Sequence, residues 1–308
     1  MTEGASIDQT FRVGDKQVRV NRDGAKYLLL KLFDRTGTIV AMWWNVGPKQ
    51  IDSFDRGDFV HCVGRTQVHK GALQIIATRV QWVDQDDVDT SDYERFDSAS
   101  ADRAMSELRD IVDAMQSPPL VSLIDAFLKD QSFTESFRTA AAAVSNHHAY
   151  PGGLLRHTVD LMRLAELIAP RYTGVDVDLV ITGAFLHDLG KIRELGGGDE
   201  IAYSDEGQLL GHIVIGLSML ESKLAQLDPP MDDRMALQLK HLVTSHHGVL
   251  EFGSPRVPQT LEAVLLHHID NMDAKLTSYQ SVIESDVGTD PNWTNYHPGI
   301  GRKLWRGE

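Results

Sequence analysis

Ile181-Thr182-Gly183-Ala184-Phe185-Leu186-His187-Asp188 is an apolar run closed by an imidazole and a carboxylate. The run belongs to a helix predicted over 176–189, so the helix ends by presenting two groups that bind metal. Neutral imidazole and carboxylate suit Zn, Mn, Fe or Co, and a helical bundle that turns them inward can build a metal centre. The theme recurs on both sides. His157 stands early in a helix predicted over 153–168, His212 falls in 208–227, His246-His247 close 231–247, and Asp270 lies in 257–276. Ten of the thirteen histidines lie between His147 and His268, which makes their arrangement more telling than their number. Any one of them alone would read as a satisfied core residue.

Around these segments the period is helical. Ala104, Leu108, Ile111, Val112 and Met115 form one stripe and Leu120, Ile124, Phe127 and Leu128 another, with a further helix predicted near 133–145. Pro118-Pro119, Pro151-Gly152-Gly153, Gly196-Gly197-Gly198 and Pro229-Pro230 punctuate the helices. Residues 101–308 therefore read as an all-α domain. Residues 84–100 carry seven acidic side chains in seventeen and few large aliphatics, the composition of a linker.

Residues 1–83 have a different rhythm. Short strands at Tyr27–Phe33, Thr38–Trp44, Asp58–Arg65 and Leu73–Val83 are separated by turn signals such as Asp34-Arg35-Thr36-Gly37. About five short strands in this length fit a small closed barrel of OB type, a fold that often binds single-stranded nucleic acid. The run Ile39-Val40-Ala41-Met42-Trp43-Trp44 is continuously apolar, so either both faces are buried or one is a binding surface. Trp43 and Trp44, with Phe33, Tyr27 and Trp82, are candidates to stack on bases, the alternative being that they fill the barrel. Charge supports a nucleic-acid role. The whole chain has a formal charge of −14, but residues 1–83 hold 12 Lys/Arg against 8 Asp/Glu, leaving −18 on the remainder. No stretch approaches the roughly 18 apolar residues of a membrane span, the N-terminus lacks a secretory pattern, and Cys62 is the single cysteine. A cytoplasmic protein without disulfides is expected.

The order His157, His187-Asp188, Asp270 resembles the H…HD…D signature of the HD-domain metal-dependent phosphohydrolases, and Lys191 falls at the HD-x-x-K place. Longer strings, among them Asn146–Thr158, Gly207–Gly216, Ser245-His246-His247-Gly248, Glu251-Phe252-Gly253-Ser254-Pro255 and Ile269–Lys275, following an OB-like domain, are similar to the YhaM family of 3′→5′ exoribonucleases. The resemblance implies a divalent-metal-dependent enzyme that trims single-stranded RNA, and in some members single-stranded DNA, releasing nucleoside 5′-monophosphates. It further implies that His157, His187 and Asp270 with one oxygen of Asp188 hold one metal, and that the other oxygen of Asp188 bridges to a second held by His212 and His246. Two cations about 3.5–4 Å apart can generate the nucleophile and clamp the phosphate. Mn, Co, Fe and Zn all suit such ligands. Lys191, one turn after Asp188, would bring its ammonium to the phosphate. His247 is either a ligand or a group that orients one, and Asp273 either accepts a hydrogen bond from a ligand or faces solvent. His147, His148, Gly253 and Ser254 are expected to contact substrate.

Two other functions compete. One is an HD phosphohydrolase of a small nucleotide or cyclic dinucleotide, for which a basic barrel is superfluous. The other is a single-stranded nucleic-acid-binding protein that keeps the HD domain as scaffold; burying His and Asp with no metal would leave unpaired polar groups. An oligomer is compatible with each of these readings.

Overall fold

The computed structural model describes residues 1–69, 72–93, 96–144, 150–196, 201–286 and 290–307. It separates into two compact units, Met1–Arg95 with Tyr279–Glu308, and Phe96–Ser278.

In the first unit, strands β1 (Ser6–Val20), β2 (Lys26–Asp34) and β3 (Gly37–Trp43) are followed by a helical turn α1 (Pro48–Ile51) and strands β4 (Phe59–His69) and β5 (Ala72–Val83). They close into a barrel in the order β1-β2-β3-β5-β4, antiparallel except at β3–β5. Strand alternation decides which side chains enter it. On β2, Leu28, Leu30 and Leu32 are fully buried, which puts Tyr27, Leu29 and Lys31 on the outer face. The apolar run on β3 divides in the same way: Ala41 and Trp43 join the core, and Val40 and Met42 face outward. Trp43 is therefore corrected from candidate base contact to core residue, and Phe33, at 4% exposure, is buried as well. Trp44, just past the strand, stays exposed with its ring 4.5 Å from that of Tyr27. Cys62 is fully buried on β4, and burial pushes its thiol up to about 12.

The acidic segment is more structured than its composition suggests. Residues 85–87 and 90–93 form 3-10 turns, the Arg35 N–H donates to the Asp92 carbonyl at 2.8 Å, and Tyr93 packs edge-on against Phe59 at 4.9 Å. These contacts, with the Arg35–Asp92 ion pair at 3.8 Å, lay this stretch on the barrel. At the other end of the chain, Tyr279–Glu308 groups with the barrel unit, whereas the sequence reading carried the helical domain to 308. That segment takes in the last residues of the helix Leu261–Ser285 and a bridged loop with Trp293 opposite Trp305.

The second unit contains α2 (Ser98–Ala114), α3 (Pro118–Leu128), α4 (Gln131–Thr139), α5 (Gly153–Ile168), α6 (Val177–Leu186), α7 (Lys191–Glu194), the hairpin of β6 (Leu195–Gly196) and β7 (Ala202–Tyr203), then α8 (Asp205–Leu224), α9 (Asp233–Ser245) and, as far as Ser278, α10 (Leu261–Ser285). Helix α6 is its centre: every residue from Leu179 to Leu186 is buried. Phe127, Phe133 and Phe137 pack around Phe185 with ring centroids 5.7–6.4 Å away. At Gly183 a Cβ would come 2.9 Å from Leu242 of α9 and 3.2 Å from Leu266 of α10. The bare glycine thus lets the two helices that carry His246 and Asp270 close on α6. The predicted helix 133–145 stops at Thr139, because Gly152 and Leu154 at the start of α5 donate to the carbonyls of Thr139 and Ala140. Among the described residues no helix is long and apolar enough to cross a membrane.

Candidate metal centre

Each histidine of the cluster has its Nδ1 engaged, which leaves its Nε2 to point inward. His187 and His246 set Nδ1 against carbonyl oxygens of their own helical segments, Ala184 and Val243, both at 2.8 Å. His247 Nδ1 meets the Phe252 carbonyl at 2.7 Å. His157 and His212 are backed by carboxylates instead, Asp273 at 3.1 Å and Glu194 at 3.2 Å. A nitrogen facing a carbonyl oxygen must carry the proton, so Nε2 keeps the lone pair a cation needs.

The inward atoms fall into two groups, His157, His187 and Asp270 in one and His212, His246 and His247 in the other. Asp188 stands between them. Its Oδ2 lies 3.2 Å from His187 Nε2 and 3.6 Å from His157 Nε2, while its Oδ1 lies 3.4 Å from His212 Nε2 and 3.8 Å from His246 Nε2. In the first group Asp270 Oδ1 is 3.4 Å from His157 Nε2. Donors spaced this way fit around ions whose bonds are about 2.0–2.2 Å. The buried atoms Asp188 Oδ1, His212 Nε2 and His246 Nε2 have no hydrogen-bond partner. Polar atoms left so in a protein interior are costly, and a divalent cation would satisfy all three at once.

Protonation suits the same role. Burial would raise the Asp188 carboxyl, but Lys191 and the His187 and His212 rings outweigh it and hold it well below the usual carboxylate range. Asp270 is likewise depressed against its burial, by hydrogen bonding to His157 and by His187. Burial drives His246 and His247 down, keeping them neutral. His157 is the exception: its burial is overcome by Asp270 and Asp273, which lift it to about 9.

Other expected residues divide. Lys191 sets its Nζ 2.7 Å from Asp188 Oδ2 and lines the cavity beside the cluster. Asp273 holds His157 rather than facing solvent. Ser254 is corrected from substrate contact to loop peg: it is 3% exposed, and its hydroxyl donates to the carbonyls of Arg256 at 2.7 Å and Thr244 at 3.2 Å. Gly253, at φ +83, is the left-handed residue that ends the turn Leu250–Phe252. His147 and His148 lie outside the described residues.

Three positions were missed. Glu194 accepts from both the main-chain N–H of His212, at 2.9 Å, and its ring. Gly211, with φ +72 and ψ 157 inside α8, breaks the helix just before His212 and so frees that N–H for Glu194. Gly190 has no room for a side chain, since a Cβ would come 1.9 Å from the His212 carbonyl. The HD-x-x-K segment and the start of α8 are in backbone contact there. Sequence offered one hint, a glutamate three residues past Lys191, about one helical turn on.

Comparison with known proteins agrees with both units. A model of the HD domain matches residues 154–275, and one of the OB-fold nucleic acid binding domain matches residues 12–83. The chain is similar to the 3′-5′ exoribonuclease YhaM of Bacillus velezensis, 32% identical over 282 residues that cover 91% of this chain and 88% of the relative. Similarity to the proteins of that name from Bacillus subtilis, at 33%, and Halalkalibacterium halodurans, at 32%, also spans 91% of this chain, with 88% and 87% of the relatives covered.

Proposed function

We propose, from the premise that the chain belongs to the YhaM family of 3′-5′ exoribonucleases, that it is a metal-dependent hydrolase shortening single-stranded RNA one nucleotide at a time from the 3′ end. Two divalent cations serve it, drawn from Mn, Co, Fe or Zn. The observation that carries this reading is the division of Asp188 between the two histidine groups, one carboxylate oxygen to each.

His157, His187 and Asp270 with Asp188 Oδ2 would hold one cation, and His212 and His246 with Asp188 Oδ1 the other, His247 being within reach of the second. When bound, such cations activate water and neutralise phosphate charge. Lys191 keeps Asp188 ionised and adds a positive charge at the cavity wall, where a non-bridging phosphate oxygen would lie. Asp273 and Glu194 fix the rings of His157 and His212. Hydrolysis breaks the bond between phosphorus and the 3′ oxygen. The shortened strand keeps a 3′ hydroxyl, and the released nucleotide keeps the phosphate at its 5′ oxygen.

The barrel supplies strand affinity: Tyr27 and Trp44 offer aromatic faces on a unit richer in Lys and Arg than the rest of the chain. Single-stranded DNA is a secondary substrate of the same surface, and the cytoplasm, where RNA is turned over, is the compartment. The test is to incubate the protein with 5′-labelled single-stranded RNA or DNA, cyclic dinucleotides and mononucleotides, under each cation in turn. A ladder descending by single nucleotides, with 5′-monophosphates released, is expected. Internal cuts, or hydrolysis confined to cyclic dinucleotides, would overturn the reading.

A further inference from the structure

Phe252 occupies an unusual place for a large apolar side chain. It is 67% exposed, yet it lines the cavity of about 260 Å³ that also contains His157, Asp188, Lys191, His246 and Asp270. Among the described residues every other one that lines it is ionisable, polar or alanine, so there its ring is the one broad hydrocarbon surface at the mouth of a charged site. The loop beneath it is tied down. The Phe252 N–H donates to the Val249 carbonyl at 3.2 Å, the Gly253 N–H to Leu250 at 2.9 Å, and Ser254 is pegged to Arg256 and Thr244. His247 Nδ1 donates to the Phe252 carbonyl itself, and the His247 ring stands 4.4 Å from His246 and 5.1 Å from His212. The backbone that carries the phenyl group is thus fastened, through one hydrogen bond, to the histidines that face Asp188 Oδ1.

An aromatic ring displayed to solvent from a fastened backbone, beside groups that receive a phosphate, is the arrangement a nucleotide requires, with stacking for the base and charge for the phosphate. We propose that Phe252 is the platform on which the base of the 3′-terminal nucleotide stacks, setting the last phosphodiester against Asp188. This rests on the exoribonuclease reading of the same site. A phenyl ring has no hydrogen-bonding groups, so the platform accepts all four bases about equally, which suits an enzyme that must pass along any sequence.

The test compares the full chain with its Phe252→Ala and Phe252→Tyr variants, in Mn²⁺, on two 5′-labelled RNA oligonucleotides that differ only in whether the 3′-terminal nucleotide carries a base. Wild type and Phe252→Tyr should favour the base-bearing end by about 10-fold or more in kcat/KM, and Phe252→Ala should cleave both ends at the wild-type rate for the abasic one. Metal content by elemental analysis should be the same in all three. The proposal fails if Phe252→Ala keeps the preference for a base, if it slows both ends by the same factor, or if it loses metal. Should wild type cleave neither oligonucleotide, the exoribonuclease reading falls first, an outcome distinct from a wild type active on both ends without preference.

Discussion

Glu194 grips His212 twice through a single oxygen: Oε1 accepts the main-chain N–H at 2.9 Å and faces ring Nδ1 at 3.2 Å. Asp273 does the corresponding service for His157 in the other group. Each proposed cation therefore has one carboxylate-backed histidine. Glu194→Ala should weaken one of two metal-binding events by about 10–100-fold, and Asp273→Ala should weaken the other. Titration calorimetry on the two variants checks this; weakening of the same event in both would contradict the assignment. Glu194→Gln, which still offers an oxygen to both donors, should lie between wild type and Glu194→Ala.

Asp188→Asn keeps shape and removes charge. Because one oxygen faces each histidine group, both cations should be lost together and hydrolysis should fall by several orders of magnitude, while the helical content is unchanged. Elemental analysis beside a single-turnover assay decides it. Retention of one full equivalent of metal would mean that Asp188 is not shared.

Gly190→Ala tests the close passage of two backbones. With a Cβ placed 1.9 Å from the His212 carbonyl, α8 must move, at a cost of about 1–3 kcal/mol or more. A lower melting temperature accompanied by weaker metal binding is expected, although Gly190 has an ordinary helical φ of −61 and strains nothing by itself.

The two neighbouring tryptophans should behave as opposites. Trp43→Ala empties part of the barrel core and should destabilise the protein by about 3–5 kcal/mol in denaturant melts. Trp44→Ala combined with Tyr27→Ala should leave the melt nearly unaltered and weaken single-stranded RNA binding by about 1–3 kcal/mol per lost stack. RNA binding by the double variant that matches wild type would remove this face from the strand path.

Asp130 provides a pH test remote from the site. It caps α4 by accepting the Phe133 N–H at 3.2 Å, and it pairs with Lys223 at 2.8 Å. Lys223, Ser132 and the Phe133 N–H hold its carboxyl below the usual carboxylate range. A carboxyl depressed on folding stabilises the native state above its unfolded pKa of about 3.9, and that contribution fades as pH drops below it. Asp130→Ala should thus cost about 1 kcal/mol at pH 7, with the gap to wild type narrowing under acid. Asp130→Asn keeps the cap, and its smaller deficit at pH 7 should close in the same range.

His187 and His246 could be read from the chain because they close helical segments, and His157 because it stands one turn inside another, whereas Asp270, well inside α10, was read from its order in the HD signature. The barrel was readable from its strand and turn rhythm. What escaped depends on contacts between distant positions. Trp43 and Trp44 are equivalent in a continuous apolar run, and only the register Leu28↔Trp43 with the buried face of β2 separates them. Glu194 gains its meaning from His212, through a kink at Gly211 that no local propensity specifies. Ser254 sits in a turn that looks open to a ligand, yet its hydroxyl is consumed by two carbonyls supplied from Thr244 and Arg256.

The buried thiol of Cys62 has a practical corollary. With its proton held to about pH 12 and no exposed surface, it presents almost no thiolate to peroxide or to an alkylating reagent at working pH. The native chain is consequently silent to maleimide dyes. A cysteine introduced at an exposed barrel position such as Trp82 would be the single reactive handle, so a fluorophore could be attached there in one step and a passing strand followed by energy transfer, without first stripping the protein of its own sulfur.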